Sequence, residues 1–573
     1  MRGPGKKRWN VQPRSPELPG LVRETGLSPL QVQLLINRGV RDPEAMDLFL
    51  RPRLSRLADP FRLKGMHEAL SLIMTIIRKR GKTTVFGDYD ADGLTSTALL
   101  VAFFRELGLP VSYYVPHRLE EGYGLNVSAI EKIAGDGTRL LITVDCGISN
   151  EREIRFAKER GLHVVVTDHH HLPASFQAIC PVINPLQPGC GFAFKNLSGV
   201  GLAFFLAVAL RSTLRKEGWF RERPEPDLKA YLDLVALGTV ADRVPLVDQN
   251  RILVSRGVSV MECSRWPGME AIKAVSDLSG VPLRAEDLAF RLAPQINAPG
   301  RMGDPEEGIK MLMAEDPQTA SALALAVNSI NHRRRGVEKQ ILAQIEASLQ
   351  HKGGIGDRCI LVLSGENWHP GVLGIVASRL VDRYCRPALV LNVDNGVAVG
   401  SGRSIEGFHL YRAMSHLGTL FKKFGGHARA AGFTLKAGNI RLLEAELERL
   451  ARESLGGRDL LPVMHVDAEV RLDHLTPDLV GRLEALGPFG EANPEPVLLS
   501  RSLKVLHAEI VGERHLKLMV SRGGQTFEGI GFNLSHKKSL AAHKINAIFK
   551  PEMNCWKGYE KLQLKILDLE SAV

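Results

Sequence analysis

The chain has 573 residues, 44% of them hydrophobic and 24% charged, which excludes a wholly disordered chain or a small disulfide scaffold and allows about three or four domains. Its formal charge of +11 is unevenly placed: residues 1–80 carry 16 Lys and Arg against 7 Asp and Glu, residues 501–565 carry 12 against 5, and the remainder sums to −5. Basic ends around a mildly acidic middle point to a polyanionic partner and a central site built from carboxylates, against the plainer reading that a basic surface keeps the protein soluble. Seven cysteines without a CxxC pair read as reduced thiols of a cytoplasmic protein. The longest apolar stretch, 199–210, is shorter than the ~20 residues of a membrane span and reads as a buried helix.

Residues 1–60 form a basic N-terminal segment rich in Pro and Arg, with one short amphipathic stretch at 27–36. Across 61–250, β-branched runs at 83–86, 111–115, 140–144, 163–167 and 180–183 alternate with helical patterns such as 95–107 and 150–160. That alternation predicts a parallel sheet with helices on both faces. Residues 251–350 read as helical and end in a long connecting helix over 318–350. A second α/β pattern, with strands at 359–364, 388–392 and 398–401, occupies 351–457. Short alternating strands over 458–573, at 497–508, 515–520, 547–550 and 561–566, predict a small β-barrel.

The strongest local signal is VFGDYDADGL at 85–94, which places Asp88, Asp90 and Asp92 at i, i+2 and i+4 directly after an apolar strand. Ligands of parallel α/β sheets bind beyond the carboxyl ends of the strands, where this loop falls. Three carboxylates so close repel one another unless cations neutralise them. An exposed acidic turn is the plain alternative; a calcium loop of the EF-hand type would need a glutamate at its twelfth position and an entering helix. The pattern recurs in LLITVDCG at 140–147, ending on Asp145, and in VVVTDHHH at 164–171, with Asp168, His169 and His170. It recurs again in LVALGTVAD at 234–242, with Asp242. One strand-terminal Asp is commonly a helix cap, but four segments arriving at one sheet edge make a cluster. Oxygen and imidazole ligands without sulfur suit Mn²⁺ or Mg²⁺, and a carboxylate cluster with room for two ions suits in-line attack on phosphorus. The residues by themselves reach a metal-dependent phosphoester hydrolase and leave its substrate open.

The motifs DADG at 90–93, VDCG at 144–147 and DHH at 168–170, in this order, resemble the DHH phosphoesterase superfamily, and the likeness covers roughly 60–573. It implies a parallel-sheet DHH domain, a long linking helix, a second α/β DHH-associated domain and a C-terminal OB-type β-barrel. Carried over by motif, Asp90, Asp92, Asp145, His169 and Asp242 would be metal ligands, with Asp145 bridging two Mn²⁺ or Mg²⁺ ions. Asp88 and Asp168 would lie in or just behind the ligand shell, and His170 would face the scissile phosphate. PQINAPGR at 294–301 pairs Asn297 with Arg301 in a turn suited to phosphate contacts. The small-residue loops WHPG at 368–371, GSGRS at 400–404 and GGH at 425–427 would hold the nucleotides flanking the cut through His369, Ser401, Arg403, Gly425, Gly426 and His427. Arg118 and Ser149 are candidates for gripping the 5′ end.

In the barrel, Lys504, Lys517, Lys537, Lys538, Lys544 and Lys550 would track a backbone. Phe527, Phe532, Phe549 and Trp556 are stacking candidates, of which one or two are expected outside the core. The implied activity is 5′→3′ hydrolysis of single-stranded DNA to 5′-mononucleotides in repair and recombination. The implied partners are a single-strand-binding protein and a helicase, with no membrane, for a chain acting as a monomer. Two alternatives stand beside it: a DHH enzyme for short oligonucleotides or cyclic dinucleotides, and a non-catalytic single-strand binder.

Overall fold

The computed structural model describes residues 7–118, 120–456, 460–556 and 559–572, apart from the side chains of 555, 556 and 559. The expected division between residues 457 and 458 and the Trp556 side chain therefore lie outside the described residues. The chain separates into two compact units. The larger holds Trp9–Gly300, Asp304–Val327 and 465–572, and the smaller holds residues 7–8, Arg301–Gly303 and Asn328–Met464.

In the larger unit, Lys82–Gly87 (β1), Val111–Tyr114 (β2), Thr138–Val144 (β3), His163–Thr167 (β4) and Val182–Ile183 (β5) form an all-parallel sheet in the order β2-β1-β3-β4-β5. These strands are nearly continuous apolar runs because helices cover both faces. Ala91–Glu106 and Gly199–Lys216 pack on one face, with Phe103, Phe104, Phe204 and Phe205 in one core with Val85, Leu140 and Ile142, and Leu232–Ala241 packs against these two helices. Val127–Gly135 and Glu151–Glu159 cover the other through Ile130, Ile133 and Ile154 on Phe86, Leu141 and Val164. Gly87 pairs with Val144 and Val144 with Thr167, so β1, β3 and β4 end level. The loops opening at Asp88, Asp145 and Asp168 therefore emerge along one sheet edge.

The C-terminal strands Leu498–Val511, His515–Arg522, Gln525–Gly531, Tyr559–Ser571 and Lys544–Trp556 pair in that order, and the last closes onto the first. The result is the expected OB-type barrel. Strand Gln525–Gly531 was not apparent in the hydropathy pattern because two of its inward positions are Gly529 and Gly531, packed against Ile566 and Leu534. Phe549 and Phe527 are core, whereas Phe532 is 53% exposed. Lys537 is spent on the buried Asp568 and Lys550 on Glu495; Lys504, Lys538 and Lys544 stay exposed.

Among the described residues, the basic N-terminal segment holds three α-helices, Leu18–Thr25, Pro29–Asn37 and Pro43–Leu50, after a short strand at Arg8–Val11. The second starts with a Ser28–Gln31 capping box and the third with an Asp42 cap, each followed by Pro at the first helical position. Leu34, Leu35 and Met46 share one core with Leu472, Leu503, Leu518 and Phe549 of the barrel region.

The smaller unit has a five-stranded sheet in the order Phe421–Gly426, Ala430–Lys436, Val397–Arg403, Ala388–Asp394, Leu361–Glu366, with only the last two parallel. Leu373–Tyr384 lies on one face and Leu410–His416 with Ile440–Leu455 on the other. The helix Pro317–His351, about 52 Å long at 1.5 Å per residue, begins in the larger unit and ends in the smaller. No helix among the described residues is long and apolar enough to cross a membrane.

Candidate functional site

β1 runs straight into Asp88, and the helix Ala91–Glu106 begins three residues later. Asp90 caps that helix, its Oδ1 accepting the N–H groups of Asp92 (3.0 Å) and Gly93 (3.1 Å). Residue 93 must be glycine, since a Cβ there would stand 2.4 Å from the Asp88 carbonyl oxygen. Asp92 caps a different helix: its oxygens accept from Gly199 N (2.6 Å) and Val200 N (2.8 Å) at the start of Gly199–Lys216. The capping role of an aspartate is thus real at both positions. It does not exhaust them, because a carboxylate offers about four lone-pair sites.

Asp145, at the end of β3, has φ +60°, a left-handed conformation uncommon outside glycine and concentrated at functional sites. A Cβ at Gly199 would lie 2.6 Å from its Cβ. Asp242 ends the helix Leu232–Ala241, where the helix dipole disfavours an anion.

These side chains converge in three overlapping groups, each with its ligand atoms within 4.8 Å of one another: Asp88–Asp90–Asp145, Asp92–His169–Asp242 and Asp145–His169–His170. Asp145 belongs to two of them. Asp88 Oδ1, Asp145 Oδ1 and His169 Nε2 are buried with no hydrogen-bond partner, although His169 Nε2 stands 3.0 Å from Asp145 Oδ1 and 3.5 Å from Asp242 Oδ2. Unpaired buried acceptors cost about 1–3 kcal/mol each, and these all point into one oxygen-rich cluster. That donor set fits a pair of Mn²⁺ or Mg²⁺ ions.

The protonation equilibria show the same strain. Burial, then repulsion from Asp90, raises Asp92 to about 7. Burial, then Asp92 and Asp90, raises Asp242 to about 9. Burial and neighbouring carboxylates also lift Asp88 and Asp145 well above the usual carboxylate range. Burial and the nearby His170 charge lower His169 to about 4, which keeps its imidazole neutral and able to ligate.

Asp168 stands apart from these groups. Its Oδ2 accepts from Ile148 N (2.9 Å), while Oδ1 accepts from His170 N (3.0 Å) and lies 2.7 Å from His170 Nδ1. Burial opposes its charge, but the bonds to His170 and to backbone N–H groups hold it below its ordinary value. For His170, burial is likewise outweighed by the Asp168 bond and the surrounding carboxylates, which push it up to about 9. Asp168 thus sits behind His170 and aims it. Tyr123, unmarked by any sequence pattern beyond its flanking glycines, also reaches this pair: its Oη lies 3.2 Å from His170 Nδ1.

The Arg118 guanidinium covers the Tyr89 ring at 5.2 Å, over the Asp88–Asp90 turn. Ser149 is exposed and borders a cavity of about 100 Å³ with Ile148, Val166 and Phe176. The expected turn at 294–301 is instead the helix Ala293–Met302, with Pro299 inside it. Burial of Gln295, Ile296 and Ala298 overrides the Pro and Gly turn signals there. Asn297 Oδ1 accepts from Ala91 N (2.7 Å), so its amide oxygen braces the aspartate loop.

In the smaller unit, two further expectations of loops are corrected: 400–403 and 425–426 lie within strands. Gly400 and Gly402 turn toward the core, where a Cβ would strike the Phe433 ring and Leu410. Ser401 and Arg403 alternate onto the opposite face, and Arg403 Nη1 donates to Ser401 Oγ at 3.1 Å. A Cβ on Gly374, in the first turn of Leu373–Tyr384, would lie 3.0 Å from Ser401 Oγ, so this helix start overlooks the pair. His369 Nδ1 accepts from Gly371 N (3.1 Å), and Gly371 packs on the Arg301 carbonyl, which brings Arg301 to the same corner. Across the sheet, Ser401 pairs with Gly432 and Gly432 with Gly425. Both glycines open onto free space, which makes a strip without side chains beside Ser401. Gly426 and the exposed His427 close that hairpin, with His427 N donating to Ala430 O at 2.8 Å. Gly432 had no motif to mark it.

Three family profiles match the chain: the DHH family N-terminal domain over residues 82–239, the DHHA1 domain over 357–453 and the RecJ OB domain over 466–568. The single-stranded-DNA-specific exonuclease RecJ of Dickeya dadantii is 38% identical over 564 residues, covering 96% of each chain. The chain belongs to the RecJ family. The crystal structure of Thermus thermophilus RecJ with Mn²⁺ superposes with a TM-score of 0.85 at 29% identity, covering 100% of this chain and 80% of that one. Its Mg²⁺ counterpart gives 0.79 at 29% identity, covering 99% and 79%. Within this RecJ-family chain, most of the aspartate–histidine cluster falls in the DHH match and the Ser401–Gly432 strip in the DHHA1 match.

Proposed function

We propose that the chain is a metal-dependent exonuclease that hydrolyses single-stranded DNA 5′→3′ to 5′-mononucleotides in DNA repair and recombination. The observation that carries this reading is the set of buried, unpartnered ligand atoms of Asp88, Asp145 and His169 at the level edge of β1, β3 and β4, in a chain of this family. Asp88, Asp90, Asp92, Asp145, His169 and Asp242 would hold two Mn²⁺ or Mg²⁺ ions, shared through Asp145. When bound, such ions lower the pKa of a water and stabilise the attacking and leaving oxygens. His170, held cationic by Asp168, meets the charge of the scissile phosphate. Arg118 and Ser149 take the 5′ end, and Asn297 keeps the aspartate loop in register. Arg301, His369, Ser401, Arg403 and His427 hold phosphates over the open backbone of Gly425 and Gly432, beside the turn at Gly426. Phe532 with Lys504, Lys538 and Lys544 gives the barrel a surface on which a strand can run. A monomer working in the cytoplasm with a single-strand-binding protein and a helicase completes the proposal; the free thiols of the described cysteines suit that compartment.

Purified protein with Mn²⁺ should release mononucleotides from a 5′-labelled single strand and spare one whose 5′ end is blocked. Asp145→Ala should cut the rate at least a thousandfold, as ~4 kcal/mol of lost transition-state stabilisation requires, with an unchanged circular dichroism spectrum. Digestion from the 3′ end, or full activity in Asp145→Ala, would overturn the reading.

A further inference from the structure

We infer that Tyr123 is a positioning residue, whose hydroxyl ties the His170 ring to the backbone of Asp145. The residue is 47% exposed overall, yet its Oη is turned inward, 3.2 Å from both His170 Nδ1 and the Asp145 carbonyl oxygen. Its ring meets the imidazole edge-on, with centroids 5.7 Å apart and planes at 72°.

The donor arrangement follows from the neighbours. The Asp145 carbonyl can only accept, so the phenol hydrogen goes to it. The phenol lone pair is then presented to His170 Nδ1, which already faces Asp168 Oδ1 at 2.7 Å. Two acceptors on one side call for a hydrogen on Nδ1, shared between Asp168 and Tyr123, which leaves Nε2 to meet a substrate. A phenol ordinarily titrates at about 10, so the hydroxyl keeps its hydrogen at working pH.

Asp168 alone fixes the ring at one point, about which it can still swing. Tyr123 adds a second contact from another loop and sets the tilt. The same hydroxyl also steadies Asp145, whose φ of +60° needs support from its surroundings. One side chain therefore keeps the cationic imidazole in step with the carboxylate common to two ligand groups.

The catalytic part of this inference rests on the proposed hydrolysis, so the test reads both activity and the ring itself. Tyr123→Phe removes only the hydroxyl. Single-turnover hydrolysis of a 5′-phosphorylated single strand with Mn²⁺ should slow ten- to a hundredfold, with KM within twofold of wild type and Mn²⁺ uptake by calorimetry unchanged. In metal-free protein with ¹⁵N-labelled histidine, the His170 resonances, assigned by their loss in His170→Gln, should show one sharp Nδ1–H signal in wild type and an exchange-broadened one in Tyr123→Phe. An unchanged rate in Tyr123→Phe, or an unchanged His170 spectrum, overturns the inference; a raised KM at full kcat makes Tyr123 a substrate contact instead. If wild type itself fails to hydrolyse DNA, the hydrolase reading falls and the His170 spectrum alone decides the tether.

Discussion

Asp145 answers to several demands at once: it ends a buried strand, adopts a left-handed backbone, packs on Gly199 and belongs to two ligand groups. Its neighbours pay for that crowding in proton affinity, and a pH-dependent stability follows. Asp92 is raised to about 7, and Asp242 and His170 to about 9. A group with a raised folded-state pKa holds its proton longer in the fold than in the unfolded chain, so its stabilising contribution is lost as pH climbs through the folded value. His169, lowered to about 4, works the other way but has finished titrating above its unfolded value of 6.5. Between about pH 6.5 and pH 9 the remaining shifts therefore act in one direction. The Tm of EDTA-treated protein should fall across that window, the rise in Tm on adding Mn²⁺ should grow, and Asp242→Asn should flatten the slope. A Tm that climbs with pH in metal-free protein would contradict these assignments. At this scale the cluster was legible from Asp and His after apolar strands, whereas Tyr123 was not: its partners lie 22 and 47 positions away.

Elements decide what a motif can do. GSGR and GGH look alike as strings of small residues, yet strand pleating sorts them, sending Gly400 and Gly402 into the core and leaving Gly425 and Gly432 open beside Ser401. A side chain at 432 meets empty space and costs the fold little, but it would stand where a nucleotide backbone is proposed to lie. Gly432→Val should keep its Tm within about 2 °C of wild type, since surface changes stay within about 0.5 kcal/mol, and raise KM for a single strand about tenfold. An unaltered KM would remove the strip from the binding surface. Asn297 teaches the same lesson, since its amide reads as a phosphate contact in sequence and as a brace on Ala91 in the fold.

Over the whole molecule, residues 18–50 and the barrel at the far end of the chain prove to be one body. The N-terminal helices share a core with the barrel, and Arg251 pins the junction. Its guanidinium donates to the carbonyls of Phe49 (2.7 Å), Leu486 (2.9 Å) and Gly487 (2.6 Å) and stacks 3.7 Å over the Phe49 ring. Burial, then repulsion from Arg38, lowers it to about 9. Arg251→Met keeps the bulk and strands three carbonyls, so urea unfolding should show a loss of about 2–4 kcal/mol, with hydrolysis by the folded fraction retained. Wild-type stability in that variant would show the junction to be held by apolar packing alone. Within the larger unit, residues 9–80 carry 12 Lys and Arg against 7 Asp and Glu and residues 501–565 carry 12 against 5, so strand binding should weaken steeply with added salt.

Sequence by itself determined the layers and the chemistry. A period of two or of 3.6 is written in neighbouring residues, and a carboxylate after a buried strand is bound to appear at the sheet edge. Tertiary structure alone decided which helix Asp92 caps, which glycines are open, that Asp168 serves His170, and that residues 18–50 belong with 465–572. Each of these depends on groups far apart in the chain, brought together by the need to bury apolar faces and satisfy the polar atoms buried with them.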